Sequence, residues 1–226
     1  MFLKSLKAPM GSIPTEDYIK QIHILQGARG SVSTSTLAVR LNVAAASVTE
    51  MLKRLAERGL VRYRPYRGVA LTEKGRRMAM RTLRRHRLWE MYLVRHLGYT
   101  WDSVHDEAER LEHATSDALE ATLDRALGYP AADPHGDPIP TRSGKLRRGA
   151  MNALAAASNG DVLRVRRVTD GDPALLQHVG HLGLTPGAKA TVREVLPLDG
   201  SMRISVRGKE RYVSAAVAAC IFVEPA

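Results

Sequence analysis

The feature that most constrains this chain is a change of hydrophobic period near residue 60. Up to Gly59 apolar residues recur at helical spacing. In the stretch LVRYRPYRGVALTEKG they instead form two short strands, with Val61 and Tyr63 before a turn at Pro65 to Gly68, and Val69 and Leu71 after it. Three helical segments precede this hairpin. Thr15, as an N-cap after Pro14, opens the first, which carries Tyr18, Ile19, Ile22, Ile24 and Leu25 and stops at Gly27 and Gly30. Ser33 caps the second, with Leu37, Ala38 and Leu41 apolar and Asn42 ending it. The third opens near Ala45, turns Val48, Met51, Leu52 and Leu55 inward, and ends at Gly59. Three helices and a hairpin over residues 1–80 predict a winged helix-turn-helix.

The net charge of +11 becomes informative once it is located. Residues 1–87 carry 18 basic and 5 acidic side chains, whereas residues 88–226 carry 16 and 18. The whole excess is N-terminal, as expected of a region that binds a polyanion such as nucleic acid. On the outer face of the third helix, Ser47 and Thr49 suit base edges or phosphates. Lys53, with Arg62, Arg64 and Arg67 of the hairpin, suits phosphates of a double-stranded DNA operator. A protein-binding helix-turn-helix is the competing reading, and the arginine-rich wing argues against it.

Apolar residues make up 44% of the chain, enough for real cores, yet no run approaches the roughly 20 residues of a bilayer span. A cytoplasmic protein without membrane association is expected. The single cysteine, Cys220, in an apolar run, reads as a small buried residue and excludes a disulfide framework.

Beyond Gly75 the helical period returns, with Met78, Leu83, Leu88, Met91, Tyr92 and Leu97 apolar. His86 and Glu90 are four residues apart and share a face. A further helix is predicted from an N-cap at Ser103 to Gly128. On it His105, Glu109, Glu112 and His113 fall within an arc of roughly 100°. Such a stripe can be a solvated polar face. Here it borders Val104, Ala108, Leu111, Ala114 and Thr115, a face that should pack inward, where carboxylates are costly unless a divalent cation compensates them. Zinc peptidases place two histidines four apart with glutamate between; here Glu109 stands four after His105 and His113 stands eight after it. The spacing favours binding over catalysis, and no nucleophile elbow or phosphate-cradling loop is present in the sequence.

From Gly128 to Gly160 the sequence is rich in Pro, Gly and Asp and reads as a linker, with His135 on its surface and short helical material around Lys145 to Ala157. Short strands follow at Val162–Val168, Ala188–Leu196, Met202–Val206, Arg211–Val213 and Cys220–Val223. The expected architecture is mainly α with a small β domain. It comprises a winged helix-turn-helix (1–80), a helical metal-binding and dimerisation domain (81–148), a linker (149–160) and a C-terminal SH3-like β-barrel (161–226).

These segments carry a resemblance. TEDYIKQI at 15–22, YRGVALTEKG at 66–75, RRHRLWE at 84–90 and HDEAERLEH at 105–113 resemble the diphtheria-toxin-repressor and manganese-transport-regulator family of metal-dependent repressors. The likeness runs in register over residues 14–128 and more weakly to the end, where the barrel is similar to small ferrous-transport accessory proteins. The resemblance implies a homodimeric repressor of metal-uptake genes, activated for operator binding by a divalent metal. It implies a primary site from Asp17, Glu109, Glu112 and His113. An ancillary site would use His86, Glu90 and His105, completed from the C-terminal domain by Asp170 or Asp172, since Arg167 stands where the family has a ligating Glu. Glu109 replaces a cysteine and Asp17 a methionine of the iron-responsive branch, which favours Mn²⁺ with Fe²⁺ as the alternative. Lys20 stands where the manganese-selective two-metal regulators have Glu, which implies two separated sites. A winged-helix adaptor with a purely structural metal, or a metal-dependent hydrolase, are the other readings.

Overall fold

The computed structural model describes residues 15–27, 30–146 and 149–226, so Pro14 lies outside the described residues. The chain divides into two compact units, Met1–Thr82 and Leu83–Ala226.

In the first unit α1 (Thr15–Gln26), α2 (Thr34–Leu41) and α3 (Ala45–Glu57) precede the two-stranded hairpin of β1 (Val61–Arg64) and β2 (Gly68–Leu71). Ser33 caps α2 as expected, its hydroxyl accepting from the Thr36 amide, and Asn42 ends the helix in the left-handed region at φ 52°. Ile19, Ile22, Leu37, Val48, Leu52, Leu55 and Val69 are fully buried, so all three helices and the hairpin share one hydrocarbon core. The hairpin alternates as a half-buried strand pair should, with Val61, Val69 and Leu71 inward and Arg62 and Arg64 exposed. Val32 hydrogen-bonds in both directions with Val69 and ties the hairpin to the helices. Gly68, at φ 90°, is required there, because a Cβ would lie 2.5 Å from the Val32 carbonyl oxygen.

Helix α4 (Glu73–His96) leads into the second unit, followed by α5 (His105–Ala114) and α6 (Asp117–Ala126). The sequence predicted one helix from Ser103 to Gly128; the structure breaks it. Thr115 is extended and Ser116 caps α6 by accepting from the Leu119 amide. Ser103 is not the cap of α5, since its hydroxyl is turned back to the Thr100 carbonyl. Residues 128–146, expected as linker, are packed: Ile139 joins Leu88, Met91 and Leu127 in a core, and Arg84 donates to the Pro140 carbonyl oxygen at 2.7 Å. Of the short helical material expected around Lys145 to Ala157, the described residues hold a single 3-10 turn (Leu154–Ala156) and no α-helix, with β3 (Asn152–Ala153) just before it.

The C-terminal strands are β4 (Val162–Val168), β5 (Lys189–Val195), β6 (Met202–Val206), β7 (Lys209–Val213) and β8 (Ile221–Pro225). They form a six-stranded antiparallel sheet in the order β3-β8-β4-β5-β6-β7. This corrects the expected barrel, because β3 and β7 remain edges and the sheet does not close. Two helices went unforeseen: α7 (Pro173–Leu182) and α8 (Ala215–Ala219). In α7, Asp172 is the N-cap, Pro173 opens the first turn, and Leu176 and Val179 cover the sheet. Asp172 is thereby spent on capping. Cys220, expected buried, is half-buried at the end of α8.

Candidate metal centre

Helix α4 is amphipathic in an unusual sense, since its inner face is polar where it enters the second unit. Arg84 is buried and donates to Glu120 at 2.8 Å and to Asp124 at 2.5 Å, both on α6. This ion network, which the sequence reading did not find, clamps α6 against α4. Farther along α4 the buried polar positions are His86 and Glu90, one turn apart from each other.

His86 is the hub. Its Nδ1 lies 2.5 Å from Glu112 Oε2 on α5, and its Nε2 lies 3.0 Å from Glu90 Oε1 and 3.1 Å from His105 Nδ1. His105 Nδ1 is also 3.3 Å from Glu90 Oε1, and its Nε2 is 3.9 Å from Glu109. Glu112 Oε1 faces His113 Nε2 at 3.6 Å. Glu90 and Glu112 are fully buried, whereas His105 and Glu109 reach solvent. Burial acts to raise the Glu90 pKa, but the His86 charge and hydrogen bonds from His105 and His86 outweigh it and hold the carboxyl far below its usual range.

The structure therefore brings together all six residues of the second unit that the sequence placed at the two metal sites on α4 and α5. It also joins the two groups, since Glu112 of one bonds His86 of the other. His86, Glu90 and His105 can hold a metal, with ligand atoms within 4.8 Å of one another. Their chemistry fits a divalent cation: two imidazoles and a carboxylate, all partnered by groups that a bound ion would replace. Asp170 is half-buried and belongs to no such group among the described residues. Asp17 belongs to the first unit, in the opening turn of α1, with Lys20 Nζ 3.9 Å away and both side chains buried. His135 corrects its expected surface position, being only 1% exposed.

In the first unit, Ser47, Lys53, Arg62, Arg64 and Arg67 are exposed on α3 and the wing. Thr49 is half-buried and its hydroxyl donates to the Ala45 carbonyl oxygen at 3.0 Å. Tyr66, at the wing tip with φ 63°, is fully exposed and was not singled out from sequence.

Comparison with known proteins follows the same partition. Three family profiles match in succession: the iron dependent repressor N-terminal DNA binding domain over residues 12–69, the iron dependent repressor metal binding and dimerisation domain over 72–141, and the FeoA domain over 152–225. The iron-dependent repressor IdeR of Mycobacterium leprae is 34% identical over 212 residues, covering 87% of this chain and 90% of that protein. A solved manganese-dependent transcriptional repressor in complex with manganese superposes with a TM-score of 0.86 at 39% identity, covering 94% of this chain and 100% of that one. The manganese regulator SloR superposes with a TM-score of 0.74 at 34% identity, covering 96% and 100%.

Proposed function

Because this chain belongs to the diphtheria-toxin-repressor and manganese-transport-regulator family of metal-dependent DNA-binding repressors, we propose that it is a homodimeric repressor of metal-uptake genes whose operator binding requires Mn²⁺, with Fe²⁺ as the nearest competitor. The family consists of transcription repressors rather than enzymes, which removes the hydrolase alternative. The observation that carries the reading is the buried His86 hub, with Glu90, His105 and Glu112 drawn around it at hydrogen-bond distance.

Each ring nitrogen of His86 meets a carboxylate oxygen, an arrangement completed by a proton on both. A divalent cation would supply the positive charge in place of such protons, so affinity should rise with pH as ligands deprotonate. We assign His86, Glu90 and His105 as one ligand set, with Asp170 as a completing residue from the C-terminal region. We assign Glu109, Glu112 and His113 as the other, to which the family resemblance adds Asp17. The donors are imidazole and carboxylate, with no thiolate among them, which suits Mn²⁺ and Fe²⁺ better than softer ions. Glu112, buried and bonded to His86, couples the two sets. DNA would be held through Ser47 and Thr49 near the start of α3 and through Lys53, Arg62, Arg64 and Arg67 at the backbone. The size of the switch is bounded by the difference in metal affinity between the DNA-competent and incompetent states.

Fluorescence anisotropy on a palindromic operator, titrated with Mn²⁺ and anaerobically with Fe²⁺, tests this reading. Chelator should abolish specific binding and Glu112→Ala should shift the metal midpoint upward. Binding indifferent to chelator and to that substitution would overturn it.

A further inference from the structure

One aromatic side chain of the first unit stands wholly outside its core. Tyr66, at the tip of the wing, is fully exposed, and among the described residues of that unit it is the one phenylalanine, tyrosine or tryptophan left in solvent. A single exposed aromatic is common on protein surfaces and needs no explanation by itself. Tyr66 is set apart by its backbone and by its neighbours.

The Arg67 amide donates to the Arg64 carbonyl oxygen at 3.0 Å, which closes a four-residue turn with Pro65 and Tyr66 in its middle. Tyr66 has φ 63°. Positive φ at the third position of a turn is the place of glycine or asparagine, because a Cβ there crowds the backbone. The wing therefore holds a bulky residue in a conformation that disfavours it, and the ring, fully exposed, returns no burial in exchange. The tip is held by its frame. Arg64 pairs with Gly68, Val32 exchanges both backbone hydrogen bonds with Val69 at 2.9 and 2.8 Å, and Gly68 lies against the Val32 carbonyl. Strain kept in place by a surrounding frame is concentrated at positions that touch a ligand.

The neighbours point to the class of ligand. Between Glu57 and Glu73 the chain carries four arginines and no carboxylate. Three of them, Arg62, Arg64 and Arg67, lie exposed along the wing, and none is in an ion pair among the described residues. An aromatic ring among unpaired cations suits a polyanion that also offers apolar walls, as the sugar-lined grooves of duplex DNA do. With α3 in the major groove, the next groove along the duplex is the minor one. It is about 6 Å wide, too narrow for a two-stranded ribbon whose strands alone lie about 4.8 Å apart, but wide enough for one side chain standing off the turn. A phenol there is selective. A·T pairs present only acceptors on the groove floor, to which the hydroxyl can donate, whereas G·C pairs add the guanine 2-amino group where the ring edge would lie.

We propose that Tyr66 is a specificity-determining residue of the DNA-binding surface, inserted into the minor groove beside each recognition half-site and selecting A·T pairs there. Arg64 and Arg67 hold the wing on the flanking phosphates, while α3 reads the major groove. This role rests on the DNA-binding reading given under Proposed function and is independent of which metal activates the protein.

The test selects binders from a randomised duplex pool with full-length wild type and with Tyr66→Gly, each loaded with Mn²⁺ and, anaerobically, with Fe²⁺. Glycine is the residue that the turn prefers, so it removes the ring without disturbing the wing. Wild type should enrich half-sites flanked by A·T pairs, and Tyr66→Gly should enrich the same half-sites with the flanks no longer selected. Anisotropy on the enriched duplex needs no variant. Replacing a flanking A·T pair by G·C should weaken wild-type binding by roughly 5-fold or more, and replacing it by inosine·C should restore it, because inosine keeps the major-groove face of guanine and lacks the 2-amino group. Tyr66→Gly should bind all three duplexes alike. Flanks that wild type does not select, or that Tyr66→Gly selects equally, would overturn the proposal and leave the ring to a protein contact. Inosine·C behaving as G·C would overturn it too, by placing the flank reading in the major groove. If wild type enriches no sequence with either metal, the DNA-binding reading itself fails; a wild-type motif that survives whole in Tyr66→Gly sinks this proposal alone.

Discussion

Asp17 and Lys20 aside, the charged residues singled out in the first unit and those in the second are placed in opposite ways. In the first, Lys53, Arg62, Arg64 and Arg67 stand in solvent over a core of Ile, Leu and Val side chains. In the second, Arg84, His86, Glu90, Glu112, Glu120, Asp124, Asp133 and His135 are all buried. An exposed arginine contributes little to folding, so its removal affects only what it touches. A buried charge is stable only with its partners, and its removal strands them. Function is therefore separable from stability on the exposed basic face of the first unit and entangled with it in the second.

The sharpest break of that comparison is Arg84→Ala. It leaves Glu120 and Asp124 buried together, although Arg85 still reaches Glu120 at 3.1 Å. A loss of about 3–5 kcal/mol is expected in urea unfolding of the metal-free protein. A loss below about 1 kcal/mol would mean that the carboxylates are reached by water and that the contrast is overdrawn. Glu112→Gln comes next. It keeps shape and an acceptor but removes the charge facing His86 and His113. Mn²⁺ affinity should fall by about 10–100-fold or more in calorimetry, and the metal-induced rise in melting temperature should shrink with it. In the wing, Arg64→Ala should leave unfolding free energy within about 0.5 kcal/mol of wild type. It should also weaken binding to all DNA sequences alike and reduce the log–log salt slope by about 1.

How far the sequence revealed each region follows from the same contrast. In the first unit helix period, caps and strand alternation all point one way, and Ser33, Asn42 and Gly68 act locally as their residue types suggest. The His86, Glu90, His105 and Glu112 convergence was legible because helical spacing fixes faces and the carboxylates stood beside apolar neighbours. The break at Thr115 and Ser116 was missed because the apolar period continues across it, although Ser116 is a good cap. Asp133 and His135 were missed because a Pro- and Gly-rich stretch normally means exposure. What buries them is tertiary: Trp101, Arg87 and the β4 backbone close over a loop that has no apolar period of its own. The barrel was expected because short alternating strands do not say whether the end strands meet. Here β3, of two residues, sits at one edge and β7 at the other.

The smallest effect distinguishes two residues that the sequence treats alike. Ser47 and Thr49 both lie near the start of α3, but Thr49 already donates its hydroxyl to the Ala45 carbonyl oxygen at 3.0 Å, and of the two only Ser47 is exposed. A hydroxyl that donates within its own helix can only accept from DNA, so it cannot distinguish base edges by donating to them. Thr49→Val keeps the branched shape and removes that oxygen. Operator affinity should change by less than about 0.5 kcal/mol, whereas Ser47→Ala should cost about 1 kcal/mol and act more on specific than on random duplex. Anisotropy on matched operator and scrambled DNA measures both. If the Thr49 substitution proved the costlier, its hydroxyl must leave the helix to bind DNA, and the recognition surface would have to rearrange on docking rather than present itself ready-made as the rest of the first unit does.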